Sequence, residues 1–359
     1  MPLRDEFEHD VLKFFRDHAT MVNGGAIQNL VGGGTVGASI VAQGAQSTQK
    51  APGVSAKAGV SLTAPIFSAS FAETRAAENA DMLDFSRPQV TVTLAPYAPG
   101  GLPVYLIPYE GGSARGVKLP AHGTDGHNVA YAMTATQNGC TVEVSGTAAS
   151  PYASHSNVID VKNDDAAQKW IAREQKINLR LFKLQQRFAA AEIAAGGNAG
   201  NVPLNRTQFG FYDQTATGGA GASTMKNYNA VMVAAGNAGE GQFGKAKREE
   251  RRIGHYRYMC VPTAETIESL KNRASPPNAL VVGRRTAAGW KFFYQVYTDV
   301  TFNIKRVPKI AGFKLGEGEY IMKDDDATKR KRFSATAILA YGELWPNMTE
   351  VSCTFGLGH

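Results

Sequence analysis

Residues 137–157 read Gln137-Asn138-Gly139-Cys140-Thr141-Val142-Glu143-Val144-Ser145-Gly146-Thr147-Ala148-Ala149-Ser150-Pro151-Tyr152-Ala153-Ser154-His155-Ser156-Asn157. Thr141 to Ser145 is β-branched and alternating, the pattern of a strand. Gly146 to Pro151 carries turn residues, and Tyr152 to Val158 returns as a second strand. In a hairpin, paired residue numbers have a constant sum. A turn centred on Thr147-Ala148 puts Cys140 opposite His155. A turn centred on Ala148-Ala149 puts Asn157 there instead and leaves His155 on a diagonal. In both registers the thiol and the imidazole share a face, because same-face positions repeat every two residues. A slip of one residue separates them.

Further strands are expected outward from this hairpin. Val90, Val92 and Leu94 alternate with polar residues, and Val104 to Ile107 follows a Pro-Gly-Gly turn. Asn128–Thr136, Val158–Val161, Tyr228–Val233, Tyr256–Val261, Ala279–Val282, Trp290–Phe302, Ala335–Tyr341 and Glu350–Phe355 are also strand-like. The strongest helix runs from Asp164 to Ala195. Its stripe of Ile177, Leu181, Leu184 and Phe188 fits packing on a sheet. Short helices fit residues 4–18, with Phe7, Val11, Leu12 and Phe15 on one face, and Ala264–Arg273. Gly196–Ser223 reads as an exposed loop. Strands on both sides of a central helix predict an α+β fold, a central β-sandwich of mixed and antiparallel strands flanked by helices.

Residues 23–76 are poor in aromatics and rich in small side chains, including Gly32-Gly33-Gly34. Such a tract buries little apolar area. The expected division is a flexible N-terminal export or targeting region over 1–80 and an α+β catalytic domain over 85–359. The glycine run lacks the Lys-Ser or Lys-Thr of a phosphate loop.

The chain has 359 residues, a formal net charge of +7, three cysteines and seven histidines. Cys140, Cys260 and Cys353 are far apart, and none has a Cys or His at metal-ligand spacing. That argues against a structural zinc site or a disulfide framework. Cys260 and Cys353 lie in apolar strand candidates and read as core. His122 and His127 flank Gly123-Thr124-Asp125-Gly126, which reads as a surface turn. No metal or organic cofactor is implied. No run of about 18 apolar residues predicts a transmembrane helix. The charged N-terminus lacks the apolar core of a signal peptide, so export is expected to use another route.

Cys140 and His155 on one face form a nucleophile–base pair in principle. The imidazole takes the thiol proton and later returns it to a leaving group. Gly139 leaves room for a substrate beside the backbone, and backbone amides near Cys140 could form an oxyanion hole. Gly139-Cys140-Thr141-Val142 at the head of a strand, with His155 fifteen residues later, resembles the catalytic core of the cytotoxic necrotizing factor and lethal-factor toxins. Those bacterial glutamine deamidases carry a Cys–His dyad on a β-sandwich flanked by helices. The resemblance covers about 25 residues. It implies that Cys140 is the nucleophile and His155 the base and acid, with Thr134, six residues upstream of the Cys, supporting the site. The family has Ser-Gly-Cys where this chain has Asn138-Gly139-Cys140, so Asn138 and Gly139 are the candidates for oxyanion support. The implied reaction converts a glutamine of a host protein to glutamate through a thioester, with transglutamination as a side path. The family's usual targets include small GTPases and a translation factor. The implied setting is the host cytosol, reached by signal-peptide-independent secretion.

Three other readings compete. The first is a cysteine peptidase or another acyl-transfer enzyme; papain-like enzymes usually set the nucleophile at a helix N-terminus, where the dipole lowers its pKa, whereas Cys140 is followed by a strand. A nucleic-acid or membrane-surface binder would use Lys245, Lys247, Arg248, Arg251 and Arg252 beside His255, Tyr256 and Tyr258, or the run Lys329 to Arg332. Glu249-Glu250 and Asp324-Asp325-Asp326 break these clusters, so nucleic acid is not an expected obligatory partner. A structural protein of a virion or secretion apparatus would suit the Gly/Ala-rich front and would give Cys140 no chemical role.

Overall fold

The computed structural model describes residues 1–23, 58–78, 86–110, 112–124, 128–137, 140–157, 166–212, 222–227, 278–307, 319–321, 330–347 and 351–352. Two sheets dominate them. The small sheet has the order β11-β10-β8-β9-β6-β2. Its strands are β2 (Ala58–Ser61), β6 (Ala114–Lys118), β8 (Cys140–Thr147), β9 (Ser150–Asn157), β10 (Thr207–Tyr212) and β11 (Ala222–Asn227). The large sheet follows β1-β4-β3-β5-β7-β12-β13-β15-β16, with β14 (Glu319–Ile321) also on β13. The rest of that path is β1 (Ala19–Val22), β3 (Ile66–Arg75), β4 (Gln89–Pro96), β5 (Leu102–Leu106), β7 (Tyr131–Met133), β12 (Asn278–Thr286), β13 (Gly289–Val307), β15 (Arg330–Trp345) and β16 (Val351–Ser352). Most pairings are antiparallel; β1–β4, β5–β7 and β2–β6 are parallel. This is the expected α+β sandwich of mixed sheets.

Period-two alternation sorts the strands into layers. Val142, Val144, Ala153 and Phe209 of the small sheet pack against Val281, Trp290, Phe292 and Tyr294 of the large one. The rings of Phe209 and Tyr294 meet across that interface with centroids 5.0 Å apart. The intervening residues of β12, Leu280 and Val282, turn to the far face of the large sheet. There they meet Phe7, Val11, Phe14 and Phe15 from α1 (Leu3–His9) and α2 (Val11–Asp17). On the far side of the small sheet lies the long helix α3 (Ala166–Ala194). Its stripe of Ile177, Leu181, Leu184 and Phe188 is fully buried against Val60, Ala114 and Tyr152. The order of layers is therefore helix pair, large sheet, small sheet, helix.

Several expectations need correction. Residues 3–22 and 58–75 belong to the fold, so the described parts of the 1–80 segment are not a separate region. The helical stretch at 4–18 breaks at Asp10, whose extended backbone and side chain cap α2 by accepting from Lys13 N at 3.0 Å; an Asp at this position satisfies an otherwise orphaned amide. β3 pairs with β4 on one edge and β5 on the other. Its Ser and Ala residues break up the β-branched pattern that marks a strand, although Phe67 is buried in the core and Phe71 packs on Phe7 and Phe14. Within the expected loop 196–223, Thr207–Tyr212 is a strand paired on both edges. The glycine tract at 32–34, the candidate strands at 158–161, 228–233 and 256–261, the helix at 264–273 and the basic cluster at 245–252 lie outside the described residues. So do Cys260 and Cys353.

Candidate functional site

The β8–β9 hairpin closes with a two-residue loop, Ala148-Ala149, between paired Thr147 and Ser150. That fixes the looser of the two expected registers. Cys140 lies opposite Asn157, and His155 lies opposite Val142. The thiol and imidazole are diagonal neighbours on one face, roughly 7 Å apart at their Cα atoms by strand geometry. The face is the one turned to the large sheet, as the burial of Val142, Val144 and Ala153 in the inter-sheet core shows.

Thr134 reaches the same place from the other sheet. It follows β7 directly, in the segment that passes from the large sheet to β8. Gln137, three residues on, is pinned there by a two-way backbone bridge to Ala279. Thr134 Oγ1 and His155 Nδ1 are hydrogen-bonded at 2.6 Å, between two buried side chains. Among the described residues, His155 Nε2 has no hydrogen-bond partner. If Nδ1–H donates to Thr134 Oγ1, the lone pair sits on Nε2, the form a proton acceptor needs.

Tyr109 and Asn157 complete the cluster, and neither is a site candidate from the sequence alone. Asn157 Nδ2 donates to the Tyr109 hydroxyl at 2.9 Å. The Tyr109 ring lies against the His155 ring, with centroids 4.8 Å apart and planes inclined at 56°. The Tyr109 hydroxyl is held above its ordinary pKa, first by burial and then by the nearby Cys140 thiol. One phenol thus neighbours all three of the hairpin's inward polar side chains. The only sequence signal for Asn157 was its place opposite Cys140 in one register. Tyr109, 31 positions before Cys140, had none.

The cluster is closed in this conformation. Cys140 is 2% exposed, His155 1% and Thr134 fully buried. Burial alone drives the His155 pKa down to about 3, so the imidazole is neutral. A neutral imidazole can accept the thiol proton, but a dry site opposes the charge separation that follows. Asn138 and Gly139, the expected oxyanion supports, lie outside the described residues. His122 is exposed beside the positive-φ Gly123, a surface turn as expected, while His127 is outside the described residues. Among the described residues, no group of three or more His, Cys, Asp or Glu side chains could hold a metal, and no helix is long and apolar enough to cross a membrane.

A second buried polar group lies on the opposite face of β8. Glu143 accepts from Arg206 Nη2 at 2.7 Å, Gln185 Nε2 at 2.6 Å and Gln208 Nε2 at 2.8 Å. This network locks β8 to β10 and α3, and so holds the strand that begins with Cys140.

Fold and site together define an α+β two-sheet sandwich with a Cys–His–Thr cluster sealed between the sheets. Compared with known proteins, the chain matches no family model and no curated sequence.

Proposed function

We propose that the protein is a thiol-dependent glutamine deamidase acting on a host protein. The observation that carries this reading is the convergence of Thr134, His155 and Cys140. Thr134 from one sheet holds Nδ1 of His155, while Nε2, on the face it shares with Cys140, has no partner among the described residues. A base oriented through one nitrogen and bare at the other is the arrangement nucleophile activation requires. Cys140 opens a strand and not a helix, which distinguishes the site from the helix-borne nucleophile of a papain-like peptidase.

In the proposed reaction, His155 takes the Cys140 proton and Sγ attacks the side-chain carbonyl carbon of glutamine. The tetrahedral intermediate collapses as His155 returns the proton to the amide nitrogen, and ammonia leaves. Water then attacks the thioester, giving its proton to His155. The Sγ–carbon bond breaks, and glutamate departs with the thiol restored. An amine in place of water gives transglutamination. No metal or cofactor enters these steps. The proposed setting is the host cytosol after signal-peptide-independent delivery. Small GTPases and a translation factor are the target classes that the resemblance implies.

The burial of both groups and the neutral imidazole favour a second reading, in which the cluster only ties the sheets together. Host cytosolic extract treated with wild type or Cys140→Ser separates the two. The deamidase reading predicts a glutamine-to-glutamate conversion in a defined host protein, with ammonia release, only with wild type. Identical extracts would leave the cluster a packing element.

A further inference from the structure

The Cys140–His155 pair is shut off from water, yet a deamidase must admit a carboxamide. The described residue that covers it while reaching the surface itself is Tyr109, which is half-buried. Its loop is anchored at both ends. Ile107 N donates to Met133 O at 2.8 Å in the large sheet, and Asn157 N donates to Ser113 O at 2.8 Å in the small one. Glu110, the next residue, is held by Ser113 Oγ at 3.0 Å and Arg115 Nε at 2.7 Å. With Ile107 and Ser113 tied to the two sheets, rotation of the Tyr109 side chain is the smallest motion that would uncover the pair. Among the described residues the polar attachment of Tyr109 is the hydrogen bond from Asn157 Nδ2, and the ring rests against His155 and the edge of the apolar cluster under α1 and α2.

We propose that Tyr109 is the gate of the Cys140–His155 site, and that a glutamine carboxamide enters by displacing its hydroxyl from Asn157 Nδ2. This inference rests on the deamidase reading for its ligand. Asn157 lies directly opposite Cys140 in the hairpin, so the amide donor that now holds the phenol is within reach of a carbonyl oxygen under attack by Sγ. The phenol oxygen thus occupies the place of the substrate oxygen in the closed state. Opening also lets water reach His155 and relieves the burial that keeps its pKa low. Entry and activation of the base become one event.

The test is the rate of iodoacetamide labelling at Cys140, mapped by peptide mass, at about pH 9.5, where an ordinary thiol is already ionised. Wild type, Tyr109→Phe and Tyr109→Ala are compared, with amide exchange in β8 and β9 recording that each remains folded. Tyr109→Ala is expected to label at least about tenfold faster than wild type, as local opening ceases to limit access. Tyr109→Phe keeps the ring and loses the acceptor for Asn157, so it is expected between the two and covers the case in which Tyr109→Ala does not fold. Equal rates in wild type and a folded variant overturn the gate. At this pH the rate reports access whether or not His155 lowers the Cys140 pKa, so failure of the gate and failure of the deamidase reading are separately visible.

Discussion

At the scale of single residues, His155 governs the account. Burial holds its pKa at about 3 against an ordinary 6.5, so the folded protein carries a neutral imidazole. Below pH 6.5 the unfolded chain binds a proton that the folded chain refuses until about pH 3. Stability from this group is therefore complete above pH 6.5 and falls as pH drops through that window, by roughly 1.4 kcal/mol per pH unit. Urea unfolding is expected to show wild type losing about 2 kcal/mol more than His155→Gln between about pH 7 and pH 5. Equal losses would mean that the imidazole is protonated in the folded state. The pairing of Cys140 with His155 was legible from spacing, since both plausible hairpin registers put them on one face. Their burial was not, because it depends on the large sheet, whose strands lie up to about 200 residues away in the chain.

At the scale of elements, two hairpin tips lock the sandwich. The Ala148-Ala149 turn of the small sheet meets the turn between β12 and β13, where Trp290 N donates to Ala148 O at 2.7 Å. Gly289 at this junction has a φ of +113°, and a Cβ there would fall 2.6 Å from Ala148 O. Gly289→Ala thus combines a disfavoured backbone with a clash against a carbonyl that cannot move without breaking the junction. It is expected to lower unfolding free energy by about 2–4 kcal/mol. Gly100→Ala, with φ +89° and open space around it, provides the measure of strain alone, expected at about 1 kcal/mol. Chemical denaturation of both variants checks this; equal losses would remove the junction from the account. The long helix was readable because four large apolar side chains recur at helical spacing and bury together. β10 was not, because its neighbours are glycine-rich and its hold on the sheet comes from β8 and β11 on its two sides.

At the scale of the whole molecule, the sandwich is what brings the cluster together. Cys140, His155 and Asn157 come from the small sheet, Thr134 from the exit of the large one, and Tyr109 from a loop tied to both. The sheet pair was foreseeable from alternating strands around a central helix. The enrolment of residues 3–22 and 58–75 was not. Phe7 and Phe14 meet Phe71 of β3, Phe7 also meets Tyr131 of β7, and their cluster extends to β4, β5 and β12, all far from α1 and α2 along the chain. The central claim is that this assembly makes Cys140 a His-assisted nucleophile. It is tested most directly by the pH dependence of Cys140 alkylation at limiting iodoacetamide in wild type, Cys140→Ser and His155→Ala. The account predicts reaction at Cys140 well below the free-thiol pKa of about 8.5, lost on removal of His155. A Cys140 that follows the ordinary thiol profile with His155 present or absent would contradict it.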